Sequence, residues 1–143
     1  LSGDDTDGHI DMLARFAPHD TIVHVACDNP DDEHYAAIGA MTEELRSLHT
    51  PAGAPYRLLA LPWPDAKHAP DGHRLPASYA NFLILNGAVL VPTYNDPRDK
   101  MALDVIACAF PGRRIIGIDC SNLILQHGSL HCVTMQLPQG VLA

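Results

Sequence analysis

The chain has 143 residues, of which 47% are hydrophobic, and its 17 acidic against 9 basic side chains give a net charge of −8. These values are typical of a single globular domain, residues 1–143, and they exclude a disordered chain. They also argue against nucleic acid as a partner, because phosphate backbones are bound by clustered Lys and Arg, and the adjacent basic pair here is Arg113-Arg114. A membrane partner is not expected, since no apolar run approaches the about 20 residues that cross a bilayer.

The first elements predicted along the chain are a strand and a helix. Residues 20–27 form a β-branched run that predicts a buried strand. A helix is predicted over about 31–48, after an Asp28 or Asn29 cap with Pro30 at or near its first position. The apolar face of this helix repeats at helical spacing through Tyr35, Ile38, Met41, Leu45 and Leu48.

The middle of the chain predicts a strand, a long loop and a hairpin. Residues 56–62 are the strand, and residues 63–77 are rich in Pro, Asp, His and Gly, which indicates a loop. Loops of this length inside a compact domain are often functional. Two apolar runs then flank Asn86-Gly87, a dipeptide that tolerates the positive φ angles of a tight hairpin turn.

The last third predicts a helix over 96–110, capped by Asp96 and with Met101 among its inward-facing residues, followed by a strand over 113–120. A short helical turn over 121–126 and a final strand over 130–138 complete the chain. Hairpins mixed with single helical crossovers predict an α+β architecture with mixed sheets. The blocks 20–62 and 88–118 share a strand–helix–strand layout, which predicts an internal repeat.

Cysteine and histidine are the residues that invite a chemical hypothesis. The four cysteines are widely spaced without a CxxC pair, which favours reduced thiols and a cytoplasmic setting. The nine histidines lack an HExxH motif, and His127 with His131 is the one pair four residues apart. We therefore expect no metal site. On the residues alone, Cys132 is a buried apolar filler more readily than a metal ligand or a nucleophile.

Two other segments carry candidate site residues. His9 and Asp11 are two residues apart, so on an extended chain both side chains share one face, and a carboxylate near an imidazole suits acid–base work. The acidic residues around them have a solvated turn as their simpler interpretation. Asn81 lies between apolar residues, where an unpaired amide costs about 1–3 kcal/mol, so it must bind backbone or a ligand.

Four stretches together resemble the agmatine deiminase / Porphyromonas-type peptidylarginine deiminase family of the guanidine-modifying (pentein) superfamily. They occur in family order across nearly the whole chain: GDDTDGHIDMLARF, LPASYANFLILNGAVLVPTYNDPRDKMAL, RRIIGIDC and HGSLHCVTMQ. The resemblance implies an α/β propeller, of which this chain would hold a part made of about two ββαβ-like modules. The chain departs from the family in the turn over 126–130, where many members have a run of glycines.

The resemblance also implies a chemistry and a set of site residues. The substrate would be a small cationic guanidine such as agmatine, hydrolysed to a ureido product and ammonia without any cofactor. Cys132 would be the nucleophile, His9 the general acid and base, and Asp11 a ligand of the guanidinium. Asn81 and Gly128 would support substrate binding, and Asp7 is a candidate for a further carboxylate.

Two further expectations follow from the family's greater length. Members are roughly twice as long or more, and the portion without a counterpart here supplies part of the propeller and a guanidinium-binding carboxylate. We therefore expect impaired activity, with a non-catalytic remnant or assembly module as the alternative. Open sheet edges and an apolar flank predict a homo-oligomer, a dimer in which the copies cover one another. Residue 1 is Leu, so the natural start of the protein is left open.

Overall fold

The computed structural model describes residues 1–4 and 9–141. Mixed sheets and two α-helices make this an α+β fold, as predicted, and neither helix in the described ranges is long and apolar enough to cross a bilayer. Short 3₁₀ turns lie at Ile10–Met12, Leu123–Gln126 and His131–Val133. The main elements in chain order are β1 (Ala14–Ala17), β2 (Thr21–Val25), α1 (Tyr35–Ser47), β3 (Arg57–Leu61), β4 (Lys67–His68), β5 (Arg74–Leu75), β6 (Leu83–Ile84), β7 (Ala88–Thr93), α2 (Asp99–Ala109) and β8 (Arg114–Asp119).

The predicted internal repeat is confirmed by the sheet topology. In the first unit β1 pairs antiparallel with β2, and β2 pairs parallel with β3 after the crossover helix α1. In the second unit β6, β7, α2 and β8 are connected and paired in the same way. The parallel strands also match in sequence, because β3 reads RLLAL where β8 reads RIIGI in the same register. The fold is therefore built from two ββαβ units.

The core lies where the second unit packs on the first. Helix α2 contacts its own strands β7 and β8 and also β2 and β3 of the first unit. The rings of Phe82 and Phe110 meet edge to face at 5.6 Å between centroids. Arg15 on β1 donates a hydrogen bond to the Phe82 carbonyl at 2.9 Å, which joins the two units at their edge. The interface between the units thus positions the segment around Phe82.

Both helices begin later than the sequence predicted. Helix α1 starts at Tyr35, because Asn29 accepts hydrogen bonds from the backbone of Asp31 and Asp32 and holds the preceding residues in a turn. Helix α2 starts at Asp99, whose carboxylate accepts a hydrogen bond from the Asp96 backbone N–H. The predicted inward-facing Met101 is wrong, since 57% of this residue is exposed.

The Asn86-Gly87 hairpin is confirmed, but its turn differs from the prediction. Neither residue has a positive φ, whereas His19 and Asp20 in the turn between β1 and β2 do, at 57° and 51°. The first strand of the hairpin is also short, because only Leu83–Ile84 pair with β7. The preceding residues, including Asn81, form a buried turn instead of a strand.

The predicted final strand over 130–138 is wrong. Residues His131–Val133 form a 3₁₀ turn, and the chain beyond it has no strand within the described residues. The His131 N–H donates to the Asn81 side chain at 2.7 Å, while Thr134 folds back to the His131 carbonyl at 2.7 Å through its hydroxyl. These two bonds, one to Asn81 and one within the turn, take the place of the hydrogen bonds that would pair a strand with a neighbouring strand.

An ion pair fixes the long segment between β3 and β6 to the start of α1. Arg74 donates to both carboxylate oxygens of Asp32, at 2.7 Å and 3.2 Å, and the Trp63 ring N–H also donates to this carboxylate at 3.1 Å. Burial by itself would raise the pKa of Asp32, but hydrogen bonds from Arg74, His34 and Trp63 outweigh it and hold this pKa far below its usual value. Asp32 therefore stabilises the fold in its charged form.

This ion pair predicts a pH-dependent stability. We expect Asp32→Asn to lower the free energy of unfolding by about 2 kcal/mol at pH 7, because the Arg74 guanidinium loses its bonds to the Asp32 carboxylate and keeps the more exposed Glu33 as its partner. The pKa of Asp32 is lowered in the folded state, so its contribution is fully present above the unfolded pKa of about 4 and fades as the pH falls below it. Urea unfolding from pH 7 to pH 3 should show the difference between the proteins shrinking. A difference that stays constant would contradict this prediction.

Candidate functional site

Three segments distant in sequence meet at one end of the interface between the units. They are the 3₁₀ turn Ile10–Met12, the buried turn before β6, and the 3₁₀ turn His131–Val133. Their meeting gathers the side chains of Asp11, Asn81, His131 and Cys132, in a set connected by hydrogen bonds. We call these four residues the thiol cluster.

Asn81 is the centre of the thiol cluster. It is fully buried, and its side-chain N–H₂ group donates to Asp11 Oδ2 at 3.1 Å and to Cys132 Sγ at 3.4 Å. Its Oδ1 accepts from the His131 backbone N–H at 2.7 Å. The sequence left open whether this amide binds backbone or a ligand. The structure shows a bond to the His131 backbone, together with bonds to the Asp11 and Cys132 side chains.

The two carboxylate oxygens of Asp11 differ in their hydrogen-bond partners. Oδ2 lies 2.6 Å from His131 Nδ1 and also accepts from Asn81, whereas Oδ1 is buried and has no hydrogen-bond partner among the described residues. An uncompensated buried carboxylate oxygen is costly, so its presence calls for a partner such as a ligand. In the part of the chain that the structure describes, Asp11 thus keeps one acceptor without a donor, and Asn81 connects its carboxylate to the thiol.

Cys132 is an exposed residue with a free thiol. The residue is exposed and forms no disulfide, and its Sγ contacts Asn81 and lies 4.0 Å from Met12 Sδ. The interpretation of Cys132 as a buried apolar filler is therefore wrong. A sulfur that accepts an N–H bond at an exposed position suits a reactive thiol better than a packing role.

Gly128 packs directly against Cys132. A Cβ atom at this glycine would lie 3.1 Å from Cys132 Cβ and 3.5 Å from Sγ, so a side chain there would press on the thiol. The resemblance assigned Gly128 to substrate binding through close backbone approach. In the structure, the atoms that a side chain at Gly128 would meet belong to Cys132, the candidate nucleophile.

A buried hydroxyl network holds the three segments together beneath the thiol cluster. Tyr94, at the end of β7, donates to the Ser78 carbonyl at 2.9 Å and lies 2.8 Å from Ser129 Oγ. Ser78 Oγ donates to the Met12 carbonyl at 2.6 Å. Burial raises the pKa of Tyr94, which keeps its hydroxyl neutral and available as a donor. These contacts fix the backbone on both sides of the site.

Two further predicted site residues, His9 and Asp7, are not part of the thiol cluster. His9 is exposed, and within the described chain its ring is not a hydrogen-bond partner of Cys132. The condition under which His9 and Asp11 would share one face, an extended chain, is not met, because His9 is extended but Asp11 lies in the 3₁₀ turn Ile10–Met12. Asp7 lies outside the described residues.

His131 is the residue that sequence reasoning missed. It stands next to Cys132, but as a predicted strand residue it would point to the opposite face. The 3₁₀ turn instead directs its ring to Asp11, at a distance of 2.6 Å. In the described residues no group of three or more His, Cys, Asp or Glu side chains could hold a metal ion. That the site needs no cofactor stays a prediction.

The fold and the thiol cluster define a class of protein: ββαβ units that bring a carboxylate, an amide and an exposed thiol to one end of their interface. The chain belongs to the Porphyromonas-type peptidyl-arginine deiminase family, whose model matches residues 1–138. This result confirms the resemblance seen in the sequence.

Individual relatives agree with this assignment. A candidate arginine deiminase of Porphyromonas gingivalis is 59% identical in structure-based comparison, with a TM-score of 0.94 over 98% of this chain and 41% of that one. An agmatine deiminase of C. jejuni with substrate bound is 42% identical, with a TM-score of 0.83 over 92% of this chain and 37% of that one. A candidate agmatine deiminase of Vibrio parahaemolyticus is 34% identical over 96% of this chain. The chain spans 43% of that relative's length.

Proposed function

We propose that this chain carries a guanidine deiminase site, which converts agmatine or a related guanidine to the ureido product and ammonia. The observation that carries the proposal is the Asp11 carboxylate, whose buried Oδ1 has no hydrogen-bond partner among the described residues and which Asn81 connects to the thiol of the exposed Cys132. A guanidinium is a planar cation with N–H donors in a fixed fork, and it satisfies such an oxygen with a charge-assisted bond. The names of the relatives support the same substrate class.

The reaction would proceed through a covalent adduct on Cys132. The thiolate attacks the guanidinium carbon, and the tetrahedral adduct loses one nitrogen as ammonia, to which His9 gives a proton. A thiouronium remains on the sulfur until water, deprotonated by His9, attacks the same carbon and expels the thiolate. The Asn81 N–H that reaches Sγ would stabilise negative charge on sulfur before attack and after release.

In the proposed reaction the His9 ring would reach the leaving nitrogen and the attacking water in the substrate complex. Its ring is exposed and precedes the 3₁₀ turn that carries Asp11. Catalytic hydrogen bonds are often long or absent before substrate binds, so this position is compatible with acid–base work in the complex. Asp7 would supply a second carboxylate to the guanidinium. Gly128, where a side chain would press on Cys132, would leave the thiol free to approach the substrate.

The test is a colorimetric assay for ureido product with the isolated chain. Agmatine, free arginine and an arginine-containing peptide should be compared at neutral pH under reducing conditions, which also match the cytoplasmic setting that we propose for the free thiols. We expect product from one of these guanidines and none from a matched diamine. Absence of product from all three, with a folded chain, would contradict the proposal for this chain.

The alternative function is a non-catalytic remnant or assembly module, and one observation favours it. The chain spans only 43% and 41% of the lengths of two relatives, so a complete substrate site could need residues that have no counterpart here. We therefore expect turnover by the isolated chain to be impaired. Binding of a guanidine without any product would support the alternative.

We also propose that the two ββαβ units are part of a propeller, and that a second copy covers the exposed apolar face of the first unit. In this chain the face of β2 and β3 that points away from α1 is covered by α2. The equivalent face of β7 and β8, which carries Leu90 and Ile116, is only half-buried. On the first unit, apolar residues line an open groove between β1 and α1; they include Ala14, Phe16, Ile22, Met41 and Leu45.

In a homodimer, the half-buried face of β7 and β8 in each copy would cover the groove between β1 and α1 in the other. This packing of a helix on a sheet would resemble the contact between α2 and β3 within one chain. We expect light scattering to give a dimer, and Phe16→Glu, at a residue now 67% exposed, to give a monomer. Met135→Glu, at an exposed residue outside the groove, is the matched control and should remain a dimer. A monomeric wild-type chain would overturn this proposal.

A further inference from the structure

We propose that His131 is a positioning residue, which holds the Asp11 carboxylate in the orientation that binds a guanidinium. This inference rests on the proposed function and names a residue that the mechanism above does not use. His131 Nδ1 lies 2.6 Å from Asp11 Oδ2, with 26% of the His131 side chain and 16% of the Asp11 side chain exposed. The contact is therefore largely protected from solvent.

The geometry of the donors carries the inference. Both His131 and Asn81 direct an N–H group to the same oxygen, Oδ2, and no donor within residues 1–4 and 9–141 reaches Oδ1. A carboxylate held by two donors on one oxygen cannot rotate about its Cβ–Cγ bond without breaking both. Oδ1 is thereby fixed in a buried position, ready to accept from a planar cation.

His131 also acts on Asn81 through its backbone. Its N–H donates to Asn81 Oδ1 at 2.7 Å, which leaves the Asn81 N–H₂ group to face Asp11 and Cys132. One residue thus orients both side chains that flank the thiol, with its ring on one and its backbone on the other. A side-chain substitution removes only the first of these effects, so the two can be separated.

The substitutions that isolate the ring are His131→Leu and His131→Asn. Leu fills similar space but has no donor, whereas the Asn amide places an N–H at the position of Nδ1 and cannot act through the rest of the ring. We expect His131→Leu to raise KM for agmatine about tenfold or more, the effect of losing a hydrogen bond to a charged group, with a smaller change in kcat. His131→Asn should restore KM to near the wild-type value.

A binding readout separates this inference from the proposed function. Agmatine should protect Cys132 from alkylation by iodoacetamide in the wild type, and 1,4-diaminobutane, which lacks the guanidinium, should not. His131→Leu should need about tenfold more agmatine for the same protection. His49→Leu, at an exposed histidine beyond α1, serves as the control and should behave as wild type.

The outcomes distinguish the two ideas. Absence of protection in the wild type overturns the proposed function and this inference with it. Equal protection in wild type and His131→Leu overturns the positioning role alone. Failure of His131→Asn to restore protection, in a variant that unfolds at the wild-type urea midpoint, also overturns it, because the Nδ1 donor would then not be the group that matters.

Discussion

Replacement of Cys132 by Ala is expected to abolish ureido-product formation, with a loss of about 10³-fold or more relative to the wild-type chain. The reason is that the sulfur would form the covalent bond to the guanidinium carbon, and no other exposed thiol of the described residues lies in the thiol cluster. The fold should tolerate the change, since Cys132 is exposed. Mass spectrometry of an acid-quenched reaction should detect an adduct on wild-type Cys132 and none on the variant.

Cys108 provides the matched control for this prediction. It is also an exposed free cysteine, but it lies on α2, away from Asp11 and Asn81. Cys108→Ala should keep full activity and the covalent adduct. Product formation by Cys132→Ala at the wild-type rate would refute a nucleophilic role for this residue and with it the thiouronium route.

Substitution of Asp11 by Asn has the second largest expected effect. The change removes the negative charge that would face the guanidinium, and each charge-assisted bond contributes about 1.5–3 kcal/mol. We expect kcat/KM to fall about 10²-fold or more, mostly through KM, because Asp11 is proposed to bind the substrate. Steady-state kinetics with agmatine measures this change directly.

Asp104→Asn is the control, because it makes the same Asp-to-Asn change at a residue outside the thiol cluster. Asp104 is exposed on α2 and pairs with Lys100, so its loss should leave kcat/KM unchanged. A second check uses thiol reactivity, since Asp11→Asn should remove protection of Cys132 by agmatine while the thiol itself remains reactive. Undiminished protection in Asp11→Asn would rule out Asp11 as the guanidinium ligand.

The elements that the sequence predicted well are those dominated by local apolar patterns. The strands around Val23, Leu59 and Ile116 lie where the β-branched and apolar runs placed them. Helix starts were less accurate, because Asp and Asn at residues 28–32 and 96–99 can cap a helix or close a turn with the same side-chain oxygens. The choice depends on partners distant in sequence, such as Arg74 for Asp32.

The segment around Cys132 shows the same limit at the site itself. The sequence predicted a strand over 130–138, and a strand would have turned the His131 ring away from the face of Cys132. The contact with Asn81 closes a 3₁₀ turn instead, and the turn brings the His131 ring to Asp11. Sequence separations of 120 and 50 residues join these partners, so no local pattern could predict them.

By itself, the sequence determined the family, the two ββαβ units and the identities of Cys132, Asp11 and Asn81 as candidates, because ordered motifs and apolar periodicity are local properties of the chain. The tertiary structure alone decided that Cys132 is exposed, that Asn81 joins it to Asp11, and that one buried oxygen of Asp11 has no donor among the described residues. The physical reason is that hydrogen-bond satisfaction and burial are set by segments that meet only when the second unit packs on the first.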